Sequence, residues 1–162
     1  MNVYTCIFAE VKLEQAIQSN KFKNNVQKAG LNILYTAWWL KTLSCQELKE
    51  FGLTHEQYNV LRILKGKHPE QMCVKDIASR MIEKNSNVPR IIDRLETKKL
   101  VKRTQGEADG RQTVITLTQA GIAILDSTTE KMDKIMDESM CLNQQEAATL
   151  NNLLEKVRAK EK

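Results

Sequence analysis

Residues 74–117 read VKDIASRMIEKNSNVPRIIDRLETKKLVKRTQGEADGRQTVITL, and changes of pattern within them decide the fold. Val74, Ile77, Ala78 and Met81 fall at i, i+3, i+4 and i+7, the stripe of a short amphipathic helix. The turn Ile82-Glu83-Lys84 follows, and Val88, Ile91, Ile92 and Leu95 then repeat the stripe. Two short amphipathic helices on either side of a tight turn have helix-turn-helix spacing. After Leu100 the period changes. Residues 100–104 and 112–117 are rich in β-branched side chains, with Thr113, Ile115 and Leu117 on one face, and predict a hairpin. Its tip, QGEADGR at 105–111, is polar, glycine-bearing and long enough to protrude as a wing.

Outward from this core the chain reads as helices. Upstream, Thr54-His-Glu-Gln57 fits a capping box, and Tyr58, Leu61 and Leu64 continue at helical spacing, predicting a helix over 55–67 that Pro69 ends. Before it, residues 22–51 contain no proline and carry Val26, Ala29, Ile33, Leu34, Ala37, Trp38, Leu40, Leu43 and Leu48, one long helix stopped by Gly52. Such a helix runs roughly 45 Å, longer than the ~30 Å width of a compact domain this size, so it projects beyond its own core. Apolar surface at Tyr35, Trp38, Trp39 and Leu40 calls for burial on a second side, which a partner chain would supply. Residues 1–20 are a weakly patterned arm. Downstream, Thr118 caps a helix with Ile122, Leu125, Met132 and Met136, and the capping box Asn143-Gln-Gln-Glu146 opens another with Leu150, Leu153, Leu154 and Val157. The expected fold is mainly α with a small β-hairpin wing: a winged helix-turn-helix with long N- and C-terminal dimerisation helices. The expected division is an arm and long helix at 1–52, the winged lobe at 53–118 and C-terminal dimerisation helices at 119–162. Ile17, Phe22, Leu150, Leu153, Leu154 and Val157 are the candidate dimer contacts.

The formal charge is +5, and it is unevenly placed. Residues 62–112 hold thirteen Lys or Arg against seven Asp or Glu, whereas the flanks are slightly acidic. A central positive excess suits a polyanion, although any single lysine is usually just part of a solvated face. No stretch has the ~18–20 apolar residues a bilayer requires, and Glu10, Lys12 and Glu14 stand where a signal peptide would be apolar. No membrane partner is expected, and a cytoplasmic location is. Cys6, Cys45, Cys73 and Cys141 lack C-x-x-C spacing, which favours reduced thiols. His55, His68 and Cys73 fit no zinc pattern. Paired-carboxylate, nucleophile-base and phosphate-loop signatures are absent from the sequence, so neither catalysis nor a metal or cofactor is expected.

With Val88 at the centre of the buried stripe, a step of about 100° per residue puts Ser86, Arg90, Asp93 and Thr97 opposite, flanked by Asn87 and Arg94. This face is rich in donors. An α-helix fits the major groove of duplex DNA, where Arg bridges guanine O6 and N7 and Asn bridges adenine N6 and N7. Arg90 and Asn87 are the base-reading candidates, and Ser86 with the free amides of the first turn suits a phosphate. Asn85, Arg94, Lys75, Lys102 and Arg103 complete the expected DNA surface, with Lys98 and Lys99 at the hairpin base. At the wing, Asp109 can orient Arg111 for entry into a minor groove. The competing reading pairs Arg90 and Arg94 with Asp93, Glu96 or Glu83, leaving no free cation.

From Leu53 to Gly121 the segments LTHEQYNVLRIL, VKDIASRM, SNVPRIIDRLETKKLVKR and EADGRQTVITLTQAG resemble the MarR family of bacterial winged-helix transcription regulators. The D-x-R wing followed by L-T-x-x-G is the most specific feature. The resemblance implies a homodimer with interlocked terminal helices on a palindromic operator, recognition helices at Ser86, Asn87 and Arg90, and wings at Asp109 and Arg111. It also implies, for some members, a small aromatic effector, for which Trp38, Trp39 and Tyr58 are the candidate pocket, though such residues more often belong to a core. Pro89 departs from the family, which commonly has a small hydroxyl residue there. Proline is comfortable only in a first helical turn, so either the helix begins near Ser86 or it is locally distorted. No cysteine lies at 26–32, where peroxide-sensing relatives carry one. The alternative function is a winged-helix interaction or assembly module that does not bind DNA. It would show apolar anchors on the face that here carries Ser86, Asn87, Arg90 and Arg94.

Overall fold

The structure is a computed structural model that describes residues 11–106 and 113–160. Its elements in order are α1 (Leu13–Ala16), α2 (Asn25–Glu50), α3 (His55–Lys65), β1 (Met72–Cys73), α4 (Val74–Arg80), α5 (Val88–Thr97), β2 (Val101–Gln105), β3 (Thr113–Leu117), α6 (Gln119–Met140) and α7 (Gln144–Val157). The chain divides into two compact units, one holding Val11–Met132 and another that includes residues 133–160.

The helix boundaries follow from local chemistry. Asn24 caps α2 by accepting from the Gln27 N–H, three residues inside the expected start. At its other end Gly52 takes φ +64°, and the N–H groups of Gly52 and Leu53 bond the carbonyls of Lys49 and Leu48. That is a Schellman stop, and it needs the left-handed residue glycine supplies. The Thr54 box forms as expected, with Thr54 Oγ1 accepting from the Gln57 N–H and Gln57 Oε1 accepting from the Thr54 N–H, both at 3.2 Å. The Asn143 box opens α7 in the same way.

The core of the first unit is built from α3, α4, α5 and the sheet, with Leu61, Ile77, Ile92, Leu95, Ile115 and Leu125 all at most 1% exposed. The sheet has three strands in the order β1-β3-β2, both pairings antiparallel. β1 was not expected. Its two residues pair Met72 with Ile115 and Cys73 with Val114, so β3 is the central strand. This alters the burial expected of β3: Thr113 is exposed, whereas Val114 and Ile115 are both buried. Cys45 and Cys73 are free thiols, but Cys141 is disulfide-bonded, which corrects the expectation of reduced thiols throughout.

Candidate DNA-reading face

Helix α5 begins where its first residues require. Asn87 is the N-cap, its Oδ1 accepting from the Arg90 N–H at 3.2 Å, and Pro89 sits in the first turn, where a missing N–H costs nothing. The helix therefore begins just after Ser86 and is not distorted by its proline. Val88, Ile92 and Leu95 are buried, and Arg90, Asp93, Arg94 and Thr97 are exposed, as the stripe predicted. The side-chain oxygen of exposed Asn87 is thus engaged by the cap, which the sequence did not show.

Asn85, Ser86, Asn87, Arg90 and Arg94 line one shallow hollow of about 330 Å³, closed on its other sides by Glu56, Glu83 and Ile91. The Ser86 Oγ is buried there without a hydrogen-bond partner among the described residues. Four carboxylates stand close enough to neutralise this face, yet other cations hold them. Lys41 of α2 reaches Glu83 at 2.5 Å and Glu56 at 3.6 Å. Arg103 of β2 pairs with Asp93 and lies 3.2 Å from Glu96. Arg90 and Arg94 make no ion pair with a described residue, so the competing reading, in which they are spent on these acids, is not what the fold does.

Burial pushes the Glu56 carboxyl up, but a backbone hydrogen bond, the Thr54 hydroxyl and the charges of Lys41 and His55 outweigh it and hold the group below 4.5. The hydrogen bond to Glu83 raises Lys41 above 10.5 against the opposing effect of burial. His55, Glu56 and Glu83 bring three ligand-type atoms within 4.8 Å of one another. Sequence spacing could not show this trio, and the Lys41 ammonium already supplies its positive charge.

Two of the cations expected at phosphates have partners inside the lobe. Lys98 donates to the Gly52 carbonyl and, at 3.1 Å, to Gln57 Oε1, tying the end of α5 to the start of α3. Arg103 is held by α5 as described. Both sets of contacts have one cause: acceptors from segments remote in sequence converge on these cations. Lys75, Lys99 and Lys102 remain exposed. Asp109 and Arg111 lie outside the described residues.

The expected effector residues do not come together in one hollow. Tyr58 is buried, its hydroxyl accepting from Arg62 at 3.2 Å and bonding Thr129 at 3.4 Å. The hollow beside it, about 370 Å³, is lined by His55, Asn59, Arg62, Ile63 and Ile82, without either tryptophan. Trp38 is 59% exposed and packs near Tyr35, with ring centroids 5.5 Å apart. Among the dimer candidates, Ile17, Phe22 and Leu154 are half-buried and Leu150, Leu153 and Val157 exposed.

A helix-turn-helix with a donor-bearing second helix, backed by a three-stranded sheet, is the architecture of the winged-helix class. In fold the chain matches MarR of E. coli, solved as a mutant complexed with operator DNA, with a TM-score of 0.72 and 24% identity over 85% of this chain and 99% of that one. A MarR transcription factor from Planctomyces limnophilus gives 0.62 and 30% identity over 87% and 98%. The HTH-type transcriptional regulator MgrA of Staphylococcus aureus is 33% identical over 109 residues, 67% of this chain and 72% of MgrA. Residues 42–135 match the family described as transcriptional regulator SarA/Rot. The chain belongs to this family of MarR-type regulators, which are not enzymes. No described helix is long and apolar enough to cross a membrane.

Proposed function

We propose that the chain acts as a homodimer on a palindromic DNA operator, α5 of each copy entering the major groove and the wing residues Asp109 and Arg111 meeting the adjacent minor groove. The observation that carries this reading is the pair of uncommitted guanidiniums, Arg90 and Arg94, exposed one turn apart on α5 while every neighbouring carboxylate is engaged elsewhere. A cation whose charge is not already cancelled keeps its value for phosphates and guanine edges. Operator DNA in the E. coli MarR complex supports the same choice of partner. The dimer would form through the terminal helices, at 1–52 and 119–162, which leave large apolar side chains uncovered. The lobe at 53–118 would do the reading. A small aromatic effector would enter beside Tyr58 and relieve binding.

The test is selection of bound duplexes from a random library, followed by titration of the selected site against an unrelated duplex across salt. A palindrome is expected. Arg90→Ala should weaken the selected site by about 1–3 kcal/mol and narrow the preference between duplexes. Arg111→Ala should weaken both more evenly. Wild-type affinity equal for all duplexes would defeat the reading.

A further inference from the structure

Resting on the DNA reading above, we infer that Arg103 is a positioning residue for the recognition helix and not a phosphate contact. Its guanidinium pairs with the Asp93 carboxylate through Nη2, and the same nitrogen lies 3.5 Å from the Pro89 carbonyl oxygen. Its Nε stands 3.2 Å from Glu96 Oε2 at an angle that makes no hydrogen bond, so that contact is Coulombic. Pro89, Asp93 and Glu96 are spaced i, i+4 and i+7, one stripe along almost the whole of α5. Arg90, Arg94 and Thr97 have the same spacing one residue on, about 100° round the helix. The stripe that Arg103 grips therefore sets the direction of the stripe that reads DNA.

Apart from Lys98 at its C-cap, which ties that end of the helix to Gly52 and Gln57, the remaining attachment of α5 is apolar, through Val88, Ile92 and Leu95. Apolar burial is non-directional, and by itself tolerates a small roll of the helix about its axis. A planar guanidinium with donors in a fixed fork does not. Arg103 is also well anchored, since β2 pairs with β3 along five residues from Val101 to Gln105, with Arg103 opposite Ile115. A phosphate contact is the poorer assignment on charge alone. The arginine already faces two carboxylates, so the trio carries a net negative charge and offers a phosphate no attraction. Without Arg103 those carboxylates would stand uncompensated beside Arg90 and Arg94.

The test uses the full chain carrying Arg103→Ala, Arg103→Lys, the pair Asp93→Asn with Glu96→Gln, and all three positions changed together. Amide hydrogen exchange without DNA is read first. Arg103→Ala should speed exchange in residues 88–97 several-fold and leave 25–50 unchanged, with Arg103→Lys intermediate. Next comes affinity for the selected operator and for a random duplex across salt. Arg103→Ala and the Asp93/Glu96 pair should each cut the preference for operator by about tenfold, the worth of one good base contact. The combined variant should be no worse than the more damaged of the two, because the groups act as one unit. Unchanged exchange at 88–97 would overturn the inference. So would an equal loss on both duplexes with a salt slope lower by about one, the signature of a phosphate contact. If exchange speeds up while neither Arg103→Ala nor Arg90→Ala alters the choice among duplexes, the brace stands and it is the DNA reading that fails.

Discussion

Gly121 shows how one hydrogen atom fixes the join between the winged lobe and the helix that leaves it. A Cβ built there would lie 2.0 Å from the Leu100 carbonyl oxygen and 3.0 Å from its carbon. The neighbour is backbone and cannot swing aside. The same backbone is stitched to α6, because Thr118 donates through its N–H to the Leu100 carbonyl at 3.1 Å and through its hydroxyl to the Lys99 carbonyl at 2.7 Å. The Thr118 hydroxyl in turn accepts from the Gly121 N–H at 3.0 Å. The L-T-x-x-G pattern thus has a physical content: the threonine caps and sews, and the glycine permits the approach. Gly→Ala in a helix ordinarily stabilises by up to about 1 kcal/mol, so the sign of the effect is diagnostic. Gly121→Ala should instead destabilise, by about 1–3 kcal/mol if it behaves as other overpacked sites do. That lowers Tm by roughly 2–4 °C for each kcal/mol in a chain of this size. A thermal melt followed by circular dichroism measures it, and a Tm at or above wild type would show that the Leu100 segment yields freely.

At the scale of elements, what was legible in the sequence is what local chemistry decides. The stripe of α5, its exposed arginines, the boxes at Thr54 and Asn143 and the stop at Gly52 all depend on residues within a turn or two of each other. What was not legible depends on distant partners. β1 is two residues long and exists because β3, some forty residues later, offers it an edge. Lys98 and Arg103 look like surface cations until Gly52, Gln57, Asp93 and Glu96 converge on them. The Lys41–Glu83–Glu56 cluster is of the same kind, and it ties long helix α2 to α3 and to the turn before α5. Both Lys41 and Glu83 are more than a third exposed, so solvent screens the pair, and its worth is below about 1 kcal/mol. Its pH window follows from the shifts. Glu56 is held below 4.5, so its contribution is complete above that value and is lost as pH falls through the lowered pKa. Lys41 is raised above 10.5, so its contribution is complete below that value and is lost only at more alkaline pH. Lys41→Met should therefore lower Tm by about 1–3 °C at pH 7, with the deficit shrinking as pH is taken below 4.5. A deficit unchanged between pH 7 and pH 3.5 would mean that Lys41 acts through packing and not through charge.

For the whole molecule the issue is what covers its terminal helices. Of the 26 residues of α2 only Ser44 and Leu48 are buried, and α7 has no buried residue at all. Val26, Leu34 and Trp38 on α2, and Leu153 and Val157 on α7, are between 56% and 80% exposed. Isolated helices in water are marginal even with good propensity, so elements this long need an apolar face packed against something. Apolar area removed from water is worth about 25 cal/mol per Å², enough for several such side chains to drive association despite the entropy lost on joining two chains. A second copy is the partner we propose, because a two-fold dimer would also present two copies of α5 to a palindrome. The substitutions that separate the two roles are accordingly far from α5. Leu153→Glu with Val157→Glu places four charges in a symmetric contact and should turn a dimer into a monomer by sedimentation at micromolar concentration, with the melting of the winged lobe little changed. Operator affinity should then fall steeply and become dependent on protein concentration, because each monomer holds only one recognition helix. A wild-type chain that sediments as a monomer at every concentration would remove the dimer, and with it the reason to expect a palindrome.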